Sequence, residues 1–146
     1  MMNQKLMRTI GLGVGMMLVS ACGADGATGT TIEAKLTDFK ISPSTPTVQA
    51  GVISFRVHNT GQEMHEMALI RTDFDPKQLP MDATGGAVET ADGMTLIAEA
   101  EAIAPGAQKT FSATVTPGTY VLICNTIANG KKHYALGMAE RITVTA

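Results

Sequence analysis

An all-β chain, a Greek-key β-sandwich following an N-terminal leader, is predicted by three observations. From Thr31 onward the apolar residues recur at every second position rather than every third or fourth, the period of strands with one buried and one wet face. Turn-forming residues interrupt those runs at short intervals, as a sandwich of many short strands requires. The first 21 residues differ in composition from everything after them.

The leader comes first in the chain. Lys5 and Arg8 form a positive start, Ile10 to Val19 is a short apolar run, and Ser20-Ala21 supplies small residues before a cleavage point. That run is too short to cross a bilayer comfortably, so a secretory signal is favoured over a membrane span. Val19-Ser20-Ala21-Cys22 is similar to a bacterial lipobox, in which the cysteine becomes the lipidated first residue. Acyl chains on Cys22 would anchor the protein to a membrane without spanning it. The alternative is an ordinary secretory signal that happens to contain a cysteine. The expected organisation is a lipoprotein signal peptide over 1–21, a flexible Gly-, Ala- and Thr-rich tether over 22–30, and one domain over 31–146. Its expected location is extracytoplasmic, in the periplasm or at the cell surface, attached to a membrane.

Strand-like alternation follows at Ile32/Ala34/Leu36, Ile53/Phe55/Val57, Phe111/Ala113/Val115 and Ile142/Val144. Between these runs stand Pro43 and Pro46, Ala50-Gly51, Asn59-Thr60-Gly61, Pro105-Gly106 and Pro117-Gly118. Residues 72–96 break the rhythm with Pro76, Pro80, Gly85-Gly86 and Asp92-Gly93. They predict a long excursion between the two sheets, with one helical turn near Pro76 to Leu79. The chain carries no dinucleotide-type glycine motif, P-loop or internal repeat.

The composition restricts the function. With 146 residues, 45% hydrophobic and 16% charged, the chain suits one domain plus an appendage. Beyond the leader nine basic residues face thirteen acidic ones, a net charge of −4. A mildly acidic chain without a basic cluster argues against nucleic acid as a partner; a monomer is expected. Of the two cysteines, Cys22 is assigned to lipid, so Cys124 has no disulfide partner. A free thiol in an exported protein calls for an explanation, and metal ligation provides one.

Cys124 ends the run Thr119-Tyr-Val-Leu-Ile-Cys124, whose alternation puts Tyr120, Leu122 and Cys124 on the interior face. A thiolate there would be costly without a cation. Further along the same segment lie His133 and Met138, and upstream His65 follows Asn59-Thr-Gly-Gln-Glu-Met. Taken singly, Cys124 reads as a structural thiol, His133 as a solvated loop residue and Met138 as core filler. Together, one thiolate, two imidazoles and a thioether are the donors of a trigonal copper site with a weak axial Met.

One upstream His and a late Cys–His–Met cluster resemble the type 1 (blue) copper proteins, the cupredoxin family, over nearly the whole domain. The resemblance implies a cupredoxin-like sandwich binding one copper ion, Cu(I)/Cu(II), through His65, Cys124, His133 and Met138. His133-Tyr-Ala-Leu-Gly-Met138 is similar to the family's closing His-x-x-x-Gly-Met, and Asn59 to His65 matches Asn-x-Gly followed by His at a strand start. His58 competes with His65, but strand parity sets it opposite Ile53, Phe55 and Val57, facing solvent. The resemblance further implies that the amide of Glu66 donates to the cysteine sulfur and that Asn59 braces the loop. Tyr120 looks like the tyrosine corner of such sandwiches.

One departure stands out: eight residues separate Cys124 from His133, against two to four in most small members of the family. A longer loop is expected to hold His133 less tightly, and Lys131 and Lys132 are expected beside an exposed imidazole edge, where they would steer an acidic partner. The function implied is one-electron transfer with a redox protein such as a cytochrome or oxidase, not enzymatic catalysis. Three histidines cannot build the further copper centres of an oxidase or reductase. The alternatives are copper delivery, buffering or tolerance, with a copper acceptor as partner, and a metal-free sandwich used for recognition.

Overall fold

Buried and exposed residues alternate along β-strands such as 30–37, 51–59 and 139–145 in the computed structural model, which describes residues 29–146, whereas 67–70 and 120–123 are buried on both faces. The expected leader, Cys22 and most of the tether lie outside the described residues. Eleven strands follow in order: β1 (Thr30–Thr37), β2 (Lys40–Pro43), β3 (Thr47–Gln49), β4 (Gly51–Asn59), β5 (His65–Arg71), β6 (Thr95–Ile103), β7 (Gln108–Val115), β8 (Gly118–Ile123), β9 (Ile127–Ala128), β10 (Lys131–Lys132) and β11 (Ala139–Thr145). No helix occurs among the described residues.

Two sheets face each other. One has the order β2-β1-β4-β7 and the other β3-β11-β8-β5-β6, while β9 and β10 form a separate small hairpin. β1 pairs in parallel with β4 and β3 in parallel with β11; the remaining ladders are antiparallel. The chain crosses from the first sheet to the second between Pro43 and Thr47, where Pro46 offers no N–H to extend a ladder.

The inward residues of both sheets make one core. Ile32, Leu36, Phe55 and Val57 from the first sheet meet Met67, Leu69, Tyr120, Leu122 and Ile142 from the second, and Cys124 and Met138 belong to the same cluster. Each large side chain fully buried there contributes about 1.5–3 kcal/mol. Tyr120 donates its hydroxyl to the Thr116 carbonyl at 2.9 Å and accepts from the Thr116 N–H at 3.2 Å, closing the tyrosine corner. His58 is half-buried on the opposite face of β4, away from the core.

Residues 72–94 differ from expectation in two ways. They connect β5 to β6, which are neighbours in a single sheet, so the excursion does not pass between sheets. It folds over that sheet's outer face, where Leu79, Ala87 and Met94 bury Ala68, Ile70, Val121 and Ile123 in a second cluster. The helical turn at 76–79 is also absent. Asp75 Oδ1 accepts from the Lys77 N–H at 2.8 Å and its carbonyl from Gln78 at 2.9 Å, while the Leu79 N–H goes to the Tyr134 hydroxyl at 2.9 Å. An Asx-type turn and a tertiary acceptor have taken the bonds a helix would have used.

Candidate metal centre

Strand order brings the ligand candidates together. β8 lies between β5 and β11 and runs antiparallel to both, with Ile123 paired to Ala68 on one side and Ala139 on the other. The start of β5 (His65), the residue after β8 (Cys124) and the turn before β11 (His133 to Met138) therefore meet at one end of the sheet. All four residues are fully buried. His65 Nδ1 lies 3.0 Å from His133 Nδ1, and Cys124 Sγ lies 3.6 Å and 3.5 Å from them. The triangle suits donors about 2.0–2.3 Å from one shared ion. Two facing Nδ1 lone pairs at this distance repel unless a proton or metal cation lies between them.

The local backbone explains each placement. The β5–β6 register slips by one residue between His65 and Met67, and Glu66 is paired in neither ladder of β5. Its free N–H donates to Cys124 Sγ at 3.4 Å, as the resemblance implied. The Glu66 carboxylate accepts from the Asn125 N–H at 2.7 Å, so one residue grips the cysteine from both sides. The Met138 carbonyl accepts from the Cys124 N–H at 3.1 Å, and the Met138 N–H donates to the His133 carbonyl at 3.1 Å. Asn59 braces the 60–64 loop: its amide donates to the carbonyls of Glu63 and Ile103, both at 2.8 Å, and its oxygen accepts from the Gly61 N–H at 2.9 Å.

The long Cys124-to-His133 segment is not loose. Ile127–Ala128 and Lys131–Lys132 pair as a hairpin around Asn129-Gly130, with φ of 51° and 73°, the left-handed pair that Asn-Gly supplies at a tight turn. The hairpin fixes His133, whose N–H donates to the Thr126 carbonyl at 3.0 Å. Lys131 bonds Glu63 at 2.5 Å and sits 5.3 Å above the Phe39 ring. His133 is fully buried, so the expected exposed imidazole edge is absent and Lys131 is already engaged.

Three residues of the site had not been singled out: Asp38, Phe39 and Glu63. Asp38 Oδ1 lies 3.3 Å from His65 Nε2, and Glu63 Oε2 lies 3.0 Å from His133 Nε2. The Phe39 ring meets His133 edge-on, with centroids 5.4 Å apart. They come from the β1–β2 turn of the opposite sheet and from a loop that reads as solvated. Asn129-Gly130 was a legible hairpin signal; Asp38-Phe39 carried none.

The electrostatics suit a cation. Burial pushes the Cys124 thiol above its ordinary value, only partly offset by the Glu66 N–H, so an ionised sulfur there needs a positive partner. Burial, and after it the neighbouring His133 imidazole, lowers His65 below its ordinary value, which favours the neutral form a ligand must take. Hydrogen bonds from Lys131 and then His133 hold the Glu63 carboxyl low. Burial works to raise Asp38, but the N–H groups of Gln62 and Glu63 and the His65 ring outweigh it.

Comparison with known proteins agrees with the architecture. The fold resembles that of auracyanin from Roseiflexus castenholzii, 24% identical with a TM-score of 0.58 over 81% of this chain and 98% of that one. Auracyanin B matches at 21% identity and a TM-score of 0.58 over 80% of this chain and 89% of the other. Auracyanin A from Chloroflexus aurantiacus, described as a "blue" copper protein, matches at 21% and 0.52 over 80% and 99%. The all-β, cupredoxin-like sandwich expected from the resemblance is therefore the fold observed. In sequence the chain is 27% identical over 120 residues to the iron uptake system component EfeO of Escherichia coli K12 and of Shigella flexneri. That match covers 82% of this chain, which spans about a quarter of the length of those relatives. No family model matches the chain.

Proposed function

We propose that the domain is a one-electron carrier whose His65 Nδ1, His133 Nδ1, Cys124 Sγ and Met138 thioether hold one copper ion. The observation that carries the reading is the buried Nδ1–Nδ1–Sγ triangle with edges of 3.0–3.6 Å. A bound copper would supply Cu(I)/Cu(II) chemistry, and one soft thiolate with two imidazoles is its preferred company. The protein's part is to keep the donors fixed and dry. β8, the 133–137 turn and the Glu66 grip hold the sulfur and imidazoles in one arrangement, which limits rearrangement when charge changes. Fully buried candidate ligands favour a site that retains its metal over one that trades it.

The likeness to an iron uptake component favours one second reading, metal handling with an acceptor protein. The two separate experimentally: an electron carrier exchanges electrons rapidly with a cytochrome and keeps its copper when mixed with an apo-acceptor, whereas a delivery protein does the reverse. Met138→Leu is expected to raise the reduction potential, because a weak donor to Cu(II) is lost; an unchanged potential removes Met138 from the axial role. Lipidation at Cys22 would hold the domain on the outer side of a membrane, where a cytochrome or oxidase is the fitting redox partner. Cys22→Ala is expected to release the protein into the soluble extracytoplasmic fraction.

A further inference from the structure

The site is closed at its imidazole end by acids, from two places distant in sequence. Asp38, at the β1–β2 turn, faces His65 Nε2 at 3.3 Å, and Glu63, in the loop before β5, faces His133 Nε2 at 3.0 Å. Both contacts fall on the nitrogen that points away from Cys124. A carboxylate accepts only, so each ring must present Nε2–H to it and leave Nδ1 as the lone pair turned toward the sulfur.

The surroundings hold the two acids in place. Asp38 also accepts from the N–H groups of Gln62 at 2.9 Å and Glu63 at 3.2 Å, which ties the turn to the loop carrying the second acid. A Cβ on Gly61 would run into the Asp38 carboxylate, so the close approach needs glycine there. Phe39 adopts φ 66°, a left-handed conformation costly for a bulky side chain. Strain of this kind persists where tertiary contacts enforce it, and here the turn delivers one side chain to each imidazole. Lys131, in turn, holds Glu63 from the solvent side at 2.5 Å.

We infer that Asp38 and Glu63 are positioning residues of the metal centre: each fixes the tautomer and aim of one imidazole, and their charge favours the more positive state of the bound metal. The inference rests on the copper reading above and adds to it the two groups that would tune the site. A carboxylate behind a ligating imidazole makes it a stronger donor, and losing such a partner typically lowers metal affinity 10–100-fold.

The test uses the full chain with copper as the probe. Wild type, Glu63→Ala and Glu63→Gln are compared by competitive Cu(I) and Cu(II) titration, by reduction potential, and by the exchange-protected imidazole N–H signals of the diamagnetic Cu(I) form. Glu63→Ala is expected to lower Cu(II) affinity about 10–100-fold, to raise the potential, and to lose the protected His133 Nε2–H. Glu63→Gln keeps an acceptor without the charge, so it should recover most of the affinity and the protected proton while the potential stays raised. Should the Ala variant not fold, the potential and N–H signal of the Gln variant decide. A wild-type protein that binds no copper overturns the copper reading and this inference with it. A copper-binding wild type whose Glu63 variants keep the same affinity, potential and N–H protection overturns this inference alone.

Discussion

The two flanks of the candidate site are built from different materials. On the imidazole flank, the β1–β2 turn and the 60–64 loop meet the rings with carboxylates, a lysine and one aromatic edge. On the thiolate flank, the 72–94 excursion brings Leu79, Ala87 and Met94 into a buried cluster with Ile123 and Tyr134. Its polar contacts with the ligand segments are largely neutral ones: Tyr134 bonds the Leu79 N–H at 2.9 Å and the Pro76 carbonyl at 3.1 Å, and Asn125 bonds the Ala87 N–H and carbonyl at 2.7 Å and 2.9 Å. The contrast teaches a division of labour. Apolar burial, with the Glu66 grip on Cys124 and Asn125, holds the sulfur end, while acids and a lysine surround the two imidazoles at the other end.

That division makes stability and metal affinity separable. Ile123→Ala, on the outer face of β8, should cost about 2–5 kcal/mol in denaturant unfolding of the metal-free protein. A cost near zero would mean that the excursion is not packed as described. Tyr134→Phe should cost about 1–3 kcal/mol by the same measurement, because the Leu79 N–H is left buried without its acceptor.

Lys131→Ala addresses the other flank. Its ammonium is half exposed, so the unfolding midpoint should barely move. Loss of a cation near His133 should nonetheless lower the reduction potential, opposite in sign to Glu63→Ala, and the effect should fade as salt is added. A large fall in stability with no change in potential would erase the contrast between flanks.

The smallest effect concerns the excursion's own turn. The Thr84 hydroxyl, then its N–H, hold the Asp82 carboxyl below the ordinary value of 3.8. A group lowered on folding stabilises the fold above its unfolded value and loses that contribution as pH falls through its folded value. The protection of the Gly86 N–H, which donates to Asp82 at 3.2 Å, measured as its hydrogen-exchange rate relative to an unprotected amide at the same pH, should therefore fall below about pH 4. Asp82→Ala should remove that acid dependence.

Much of this architecture was legible in the sequence because period-two alternation is a local signal: Ile32/Ala34/Leu36 and Tyr120/Leu122/Cys124 face inward as their parity requires. His65, Cys124, His133 and Met138 could be singled out because their chemistry is rare and their positions, beside strand ends and a glycine turn, are local too. The carboxylates were not legible. Asp38 reaches His65 across 27 positions and Glu63 reaches His133 across 70, and neither carries a pattern of its own. The excursion resisted for a similar reason: Leu79, Ala87 and Met94 are scattered through turn residues with no period, and only the outer face of β5 and β8 gives them a common partner. The length of the Cys124–His133 segment misled because chain length alone implies looseness, whereas Asn129-Gly130 folds it back on itself.

The central claim is most directly tested by titrating the metal-free protein with Cu(II) while recording visible absorption and EPR. One equivalent should produce an intense thiolate-to-copper band with narrow copper hyperfine splitting, and both should vanish in Cys124→Ser. Binding without a visible band, or a band that survives that substitution, would contradict the account.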